Sequence, residues 1–227
     1  MNHKKVIVAL DGNNFIKIKN IVVKCKSEAF AFKIGYEFFF NYGIEGYKKI
    51  KKICPNIFLD LKLHDIPNSV RQGIKAIDKL KPLLTTVHIS GGDEMMRASL
   101  QDRKYTKILG VSILTSLNED QTKKYYNKIK IETLVKSFVK NAEKLKLDGV
   151  VCSPKEVKII RNLVSKKFLI VTPGIRMQGI NKDKDDQKRT MSAKNAIDLG
   201  ANYLVIGRPI TKSANPLKAL KEINDTI

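Results

Sequence analysis

The chain has 227 residues, of which 43% are hydrophobic and 29% charged, and its formal net charge is +21. This length suits one domain better than two, and the apolar residues occur in short runs that can build a sizeable core, which excludes a disordered chain. The three cysteines, Cys25, Cys54 and Cys152, are widely spaced and form no CxxC pair. We therefore expect buried or idle thiols instead of a disulfide or metal framework.

The first apolar run and the distribution of lysine indicate where the protein is located in the cell and which classes of partner it has. The run VIVAL at residues 6–10 stops at Asp11, which is too short for a signal peptide or a membrane-spanning helix, so we expect a cytoplasmic protein with no membrane partner. Lysine is spread through the whole chain without interleaved aromatic residues. This pattern favours a solvated surface over a nucleic-acid partner, although a basic field would also attract an anionic substrate.

Short β-branched apolar runs alternate with helix-like segments along the chain. The runs occupy residues 6–11, 30–35, 57–62, 84–90, 107–113, 149–153, 168–174 and 203–207. Between them, apolar residues recur at helical spacing, as in the stretches 70–80 and 131–142. Eight strand-then-helix units without a change in composition predict an α/β fold, a single (β/α)8 TIM barrel formed as one domain by residues 1–227. An open doubly wound sheet is the alternative.

Charged residues follow the first three predicted strands. Asp11 ends the first run, Lys33 lies near the end of the second, and Asp60 and Lys62 end the third, with Asp65 shortly after. A barrel of this kind places its active site where strands end, and the two-residue period of a strand puts Asp60 and Lys62 on one face. A purely structural ion-pair network is one interpretation. Since burying such a network costs desolvation, a lysine held charged for proton transfer is the other, and we favour it.

The last two predicted strands end in segments suited to phosphate. TPGIR follows the seventh strand and IGRPI the eighth, and this pair of loops forms the usual phosphate site of such barrels. Gly174 and Gly207 would let backbone N–H groups approach an anion, while Arg176 and Arg208 supply forked donors that match phosphate oxygens. The plainer interpretation is a turn glycine and a surface arginine. Together, the two loops predict a phosphate-bearing substrate.

The stretch DLKLHDIPNS at residues 60–69 resembles the signature of the bacterial-type orotidine 5'-phosphate decarboxylase family. The resemblance continues, in order, through LD, FKIG, HISGG, SILTS, DGVVCSP, TPGIR and YLVIGRPIT, which together span essentially the whole chain. It implies a phosphate-binding (β/α)8 barrel that is active as a homodimer. It also implies conversion of orotidine 5'-monophosphate to UMP and CO2, the last step of de novo pyrimidine nucleotide synthesis, without a metal or an organic cofactor.

The same resemblance implies residue roles. Lys62 would donate the proton to C6 of the pyrimidine, Asp60 would face the departing carboxylate, and Lys33 would bridge the carboxylates and help hold the ribose. Asp65 would be a further catalytic residue, which with Asp60 keeps Lys62 charged. The further implied substrate contacts are Asp11 at a ribose hydroxyl, Thr115 at the pyrimidine, Pro173 in the seventh loop, Arg176, Gln187, Gly207 and Arg208 at the phosphate, and Ile66 and Ser69, which together with Asp65 would reach into the neighbouring subunit's site.

Two departures from the family pattern affect these assignments. Ser69 stands where the family usually has threonine, which keeps the hydroxyl and loses a methyl group. The loop at 177–189 is rich in Lys and Asp, so Gln187 is placed mainly by its DQxR context, and Gln178 is a rival for the same role. We expect His64 to pack or form structural hydrogen bonds.

Two other functions remain open at this point. A relative on the same barrel, 3-keto-gulonate-6-phosphate decarboxylase, also uses a DxKxxD arrangement but needs Mg²⁺. Lys33 in FKIG and the continuation IPNS favour the nucleotide enzyme. The third hypothesis, a nonenzymatic RNA-binding protein, rests on the net charge and predicts salt-sensitive RNA retention.

Overall fold

Eight parallel strands close into a barrel in the computed structural model, which describes residues 4–175 and 191–227. The strands are β1 Val6–Leu10, β2 Ala31–Ile34, β3 Ile57–Leu63, β4 Leu84–His88, β5 Lys107–Val111, β6 Gly149–Val151, β7 Leu169–Thr172 and β8 Tyr203–Ile206. Each strand pairs with the next one in the chain, and β8 returns to pair with β1. This closure confirms the predicted (β/α)8 TIM barrel and excludes the open sheet.

Helices connect the strands on the outside of the barrel. They are α1 Phe15–Cys25, α2 Tyr36–Ile53, α3 Pro67–Leu80, α4 Gly92–Gln101, α5 Glu119–Tyr125, α6 Ile131–Lys144, α7 Val157–Arg161, α8 Ala193–Asp198, α9 Arg208–Thr211 and α10 Pro216–Asn224, with 3-10 turns at Ile89–Gly91 and Pro154–Glu156. Short polar side chains define several starts. Asn14, for example, accepts a hydrogen bond from the Lys17 amide and so satisfies one free N–H at the start of α1. The two stretches with helical spacing of apolar residues, 70–80 and 131–142, lie within α3 and α6, as predicted.

Two apolar layers are built from the alternation of each strand. One lies between the strands and the helices and includes Val6 and Val8 of β1. The other fills the barrel interior and consists of Ile7, Ala9, Ala31, Phe58, Leu84, Leu109, Val171 and Val205. At the end where the strands begin, the rings of Phe30 and Tyr203 stack with centroids 3.9 Å apart. The three cysteines are free and buried, as expected.

The same alternation places polar groups at the opposite end of the barrel. Counting by two along β1 from the interior residues Ile7 and Ala9 leads to Asp11. In the same way Ala31 leads to Lys33, and Phe58 leads to Asp60. The interior is therefore apolar up to the mouth, where the next inward position of three successive strands carries a charge.

Candidate active site

A cleft of about 640 Å³ opens at the end of the barrel where the strands finish. It is lined in part by the predicted residues Asp11, Lys33, Asp60, Lys62, Thr115, Pro173, Gly207 and Arg208. These residues come from six of the eight strands or their following loops. The structure thus brings together most of the predicted site from distant parts of the chain.

Asp60 lies at the centre of the charge network. Its Oδ2 atom is 2.8 Å from Nζ of Lys62 and 3.4 Å from Nζ of Lys33, while Oδ1 accepts a hydrogen bond of 2.9 Å from the Thr86 hydroxyl. Only 6% of Asp60 is exposed. Burial alone would raise the pKa of this carboxyl, but the two ammonium groups and the hydrogen bonds from Lys62 and Thr86 outweigh burial and lower it. Asp60 is therefore ionised at neutral pH.

Lys62 reaches Asp60 by a route that differs from the predicted alternation. Its φ is +43°, in the left-handed region, and the register of β3 against β4 shifts between Leu59 and Leu63. The backbone N–H of Lys62 donates to Oγ1 of Thr86 at 2.9 Å instead of continuing the ladder. The prediction that Asp60 and Lys62 converge is confirmed, although an irregular strand end brings them together.

The opposite side of the cleft is built from glycine and arginine. Gly174 has a φ of +81°, which glycine adopts without a steric penalty. A Cβ atom on Gly207 would lie in van der Waals contact with two residues that line the cleft, 3.4 Å from Cβ of Ala9 and 3.5 Å from Oδ2 of Asp11. Arg208 follows as the first residue of α9. The other predicted phosphate contacts, Arg176, Gln187 and its rival Gln178, lie outside the described residues.

Asp65 and Ser69 line a second, adjoining cleft, in which Lys62 also takes part. Oδ1 of Asp65 accepts the Ile66 amide at 2.6 Å, and 67% of Ile66 is exposed. Within residues 4–175 and 191–227, Asp65 forms no ion pair with Lys62 of its own chain. The carboxylate that holds Lys62 within one chain is Asp60.

A family model described as "Orotidine 5'-phosphate decarboxylase / HUMPS family" matches residues 4–223 of the chain. The chain belongs to this family. Among its relatives, the orotidine 5'-phosphate decarboxylase of Staphylococcus haemolyticus is 40% identical over 225 residues, covering 97% of this chain and 96% of the relative. That of a Wolbachia strain from Culex pipiens is 39% identical over 226 residues, covering 97% and 99%. The resemblance seen in the sequence is thereby confirmed.

Solved structures of this family share the fold as well. The crystal structure of orotidine 5'-phosphate decarboxylase from Lactobacillus acidophilus superposes with a TM-score of 0.83 at 36% identity and covers 98% of each chain. The chain thus matches, over nearly its whole length, relatives that are named for a carboxy-lyase activity.

Two residues of this family member that the motifs did not indicate also contact the charge network. One is Thr86, which hydrogen-bonds both Asp60 and Lys62. The other is Tyr36, whose hydroxyl donates to the Leu61 carbonyl at 3.1 Å and whose ring centroid lies 5.7 Å from Nζ of Lys62. Counting by two from Leu84 would have pointed to Thr86. No comparable signal marks Tyr36, because it begins a helix.

A pair of stacked histidines adjoins Lys62 in the second cleft. The rings of His64 and His88 lie 5.1 Å apart at an interplanar angle of 28°, so the packing role expected for His64 agrees with its position. Burial, and then the nearby His64 and Lys62, lower the pKa of His88 from 6.5 to about 4, and the attraction of Asp60 does not compensate. His88 is therefore neutral at physiological pH.

The lowered pKa of His88 predicts a loss of stability in mild acid. Between pH 6.5 and about 4 the unfolded chain binds a proton that the folded chain does not, so the free energy of unfolding falls as the pH falls through this window. For this partly exposed group we expect an effect on the order of 1 kcal/mol. Urea unfolding at pH 7 and pH 5 measures it. The His88→Gln variant should lose less stability between these pH values than the wild type, and an equal loss would contradict the assignment.

Two further properties bear on partners. The described ranges contain no group of three or more His, Cys, Asp or Glu side chains placed to hold a metal ion. In the same part of the chain, no helix combines the length and the apolar character needed to cross a membrane.

Proposed function

We propose that this protein converts orotidine 5'-monophosphate to UMP and CO2 in pyrimidine nucleotide synthesis. The observation that carries this proposal is the buried Asp60 carboxylate held between Lys33 and Lys62 at one side of a cleft, with Gly207 and Arg208 at another. An anionic, phosphate-bearing substrate fits such a cleft, because one side offers ammonium groups and the other offers glycine and a guanidinium group.

The chemistry requires charge stabilisation at a single carbon. When the bond between C6 and the carboxylate breaks, its electron pair remains on C6, where no adjacent carbonyl delocalises it. The Lys62 ammonium, held by Asp60, would stabilise that charge and then transfer a proton to C6. Because the ammonium is positioned before the substrate arrives, no reorganisation is needed during the reaction.

The remaining residues would bind and orient the nucleotide. Lys33 and Asp11 would hold the ribose, Thr115 would contact the pyrimidine and Arg208 the phosphate. Pro173, Gly207, Arg176 and Gln187 complete the proposed substrate contacts. Binding energy from the phosphate would then place the substrate carboxylate beside Asp60, which destabilises the ground state relative to the transition state.

We further propose a homodimer in which Asp65, Ile66 and Ser69 enter the partner's site, in a cytoplasmic enzyme that needs no cofactor. The exposed surface next to Lys62 supports the dimer. Phe40 is 79% exposed, and its ring stacks on Tyr36 with centroids 5.8 Å apart. Exposed aromatic and aliphatic side chains beside a cleft are typical of an interface.

Orotidine 5'-monophosphate absorbance, followed with purified and EDTA-treated protein, tests this function. We expect turnover at the same rate before and after EDTA treatment. Activity that disappears with EDTA and returns with Mg²⁺ would contradict cofactor independence. Absence of turnover on this nucleotide, together with Mg²⁺-dependent decarboxylation of a sugar phosphate, would favour the related family activity instead.

We predict that Arg208→Ala weakens binding of the phosphorylated substrate selectively. A charge-assisted, forked hydrogen bond contributes about 1.5 to 3 kcal/mol, so kcat/KM for orotidine 5'-monophosphate should fall roughly 10- to 100-fold. Orotidine without phosphate should be nearly unaffected. Lys218→Ala is the matched control, because it removes one positive charge from an exposed face of α10 away from the cleft. Equal losses on both substrates would remove Arg208 from the phosphate site.

A further inference from the structure

Thr86 hydrogen-bonds both charged residues at the centre of the site. Its hydroxyl lies 2.9 Å from Oδ1 of Asp60 and 2.9 Å from the backbone nitrogen of Lys62, and the residue is fully buried. An amide N–H can only donate and an ionised carboxylate can only accept. The hydroxyl therefore accepts from Lys62 and donates to Asp60, and its proton has a single orientation.

These two hydrogen bonds act on different parts of the network. The bond to Oδ1 fixes the carboxylate of Asp60 so that Oδ2 faces the ammonium groups of Lys33 and Lys62. The bond from the Lys62 amide replaces a ladder hydrogen bond at the point where β3 departs from regular geometry and φ becomes positive. One hydroxyl thus holds both the backbone that carries the lysine and the carboxylate that pairs with it.

We propose that Thr86 is a positioning residue for the decarboxylation, which aims the Lys62 ammonium at the reacting carbon by fixing the Lys62 backbone and the Asp60 carboxylate together. The inference rests on the proposed function. It adds a residue of β4 whose contacts are to the network and not to the nucleotide.

The neighbouring residue provides a matched control. Thr85 is also fully buried, and its hydroxyl also donates to β3, in this case to the Leu59 carbonyl at 2.8 Å. Adjacent strand residues point to opposite faces, so this hydroxyl is turned away from Asp60. Replacing either threonine with valine removes one buried hydroxyl at nearly constant volume, but only Thr86→Val removes a contact to the charge network.

The kinetic test compares Thr86→Val, Thr86→Ser and Thr85→Val on orotidine 5'-monophosphate. Misplacement of a catalytic group by about 1 Å costs on the order of 10²-fold, so we expect kcat of Thr86→Val to fall about 10- to 100-fold. KM should stay within about twofold, because the phosphate contacts are unchanged. Thr86→Ser, which keeps the hydroxyl, and Thr85→Val should both stay within about threefold of wild-type kcat. Equal kcat values for the two valine variants would overturn the proposal.

Hydrogen exchange of the Lys62 amide gives a readout that does not need turnover. We expect exchange at least about tenfold faster in Thr86→Val than in wild type, slow again in Thr86→Ser and unchanged in Thr85→Val. Unchanged exchange in Thr86→Val would overturn the proposal. If Thr86→Val does not fold by circular dichroism, Thr86→Ala carries the same expectations. If the wild type shows no turnover but the variants show this exchange pattern, the proposed function is refuted, while the hydrogen bond between Thr86 and the Lys62 amide is established.

Discussion

Replacing Lys62 with alanine is expected to abolish turnover of orotidine 5'-monophosphate while binding of UMP survives. Loss of a general acid and of its charge at the developing carbanion should lower kcat by about 10⁴-fold. UMP has no carboxylate to place near Asp60, and its phosphate would be held across the cleft by Arg208. Substrate absorbance measures turnover, and calorimetric titration with UMP measures binding.

A second lysine offers a close control for this substitution. Lys81 also has a positive φ, +53°, and its ammonium lies over the ring of Tyr105, outside the cleft. Lys81→Ala therefore removes one charge and places alanine in the same left-handed region without touching the site. It should keep normal turnover. Near-normal turnover by Lys62→Ala would refute the proton-donor role, and loss of UMP binding together with turnover would indicate a collapsed site.

The strands of the barrel and most of the charged residues at its mouth can be predicted from the sequence. Both follow from the alternation of inward and outward side chains along each buried strand. The runs that alternate inward from Ile7, Ala31 and Phe58 end at Asp11, Lys33 and Asp60. Each of these charges was predicted from its own strand. Their convergence then followed from closure of the barrel, since the ends of parallel strands meet at one rim.

The sequence could not predict what holds Lys62 in place. Strand alternation predicts that the side chains of Lys62 and Asp60 lie close together, and they do. However, the backbone leaves β geometry at Lys62, and the hydroxyl of Thr86 in the next strand holds it there. That contact joins residues 24 apart in the chain and depends on the register of β3 against β4, which no local pattern specifies. The contacts of Asp65 and Ile66 cannot be predicted from the pattern of one chain either, because the residues that they are proposed to contact belong to another copy of the chain.

Mixing two inactive variants is expected to restore activity if Asp65 serves the partner's site. Lys62→Ala and Asp65→Asn chains, each inactive alone, would be unfolded together and refolded as a random mixture. Half of the dimers are then mixed, and each has one site with Lys62 from one chain and Asp65 from the other, beside one doubly damaged site. Half of the dimers with half of their sites intact gives roughly a quarter of wild-type activity.

A mixture of Lys62→Ala with Asp60→Asn is the decisive control. Nζ of Lys62 and Oδ2 of Asp60 are 2.8 Å apart within one chain, so every site in a mixed dimer lacks one of the two residues. This mixture should recover nothing, and recovery here would mean that the chains exchange whole elements instead of sharing a loop. If the mixture of Lys62→Ala with Asp65→Asn also recovers nothing, Asp65 serves its own chain. The contact between Asp65 and Lys62 would then require the third loop to move over its own barrel, because the two residues form no ion pair within the described chain.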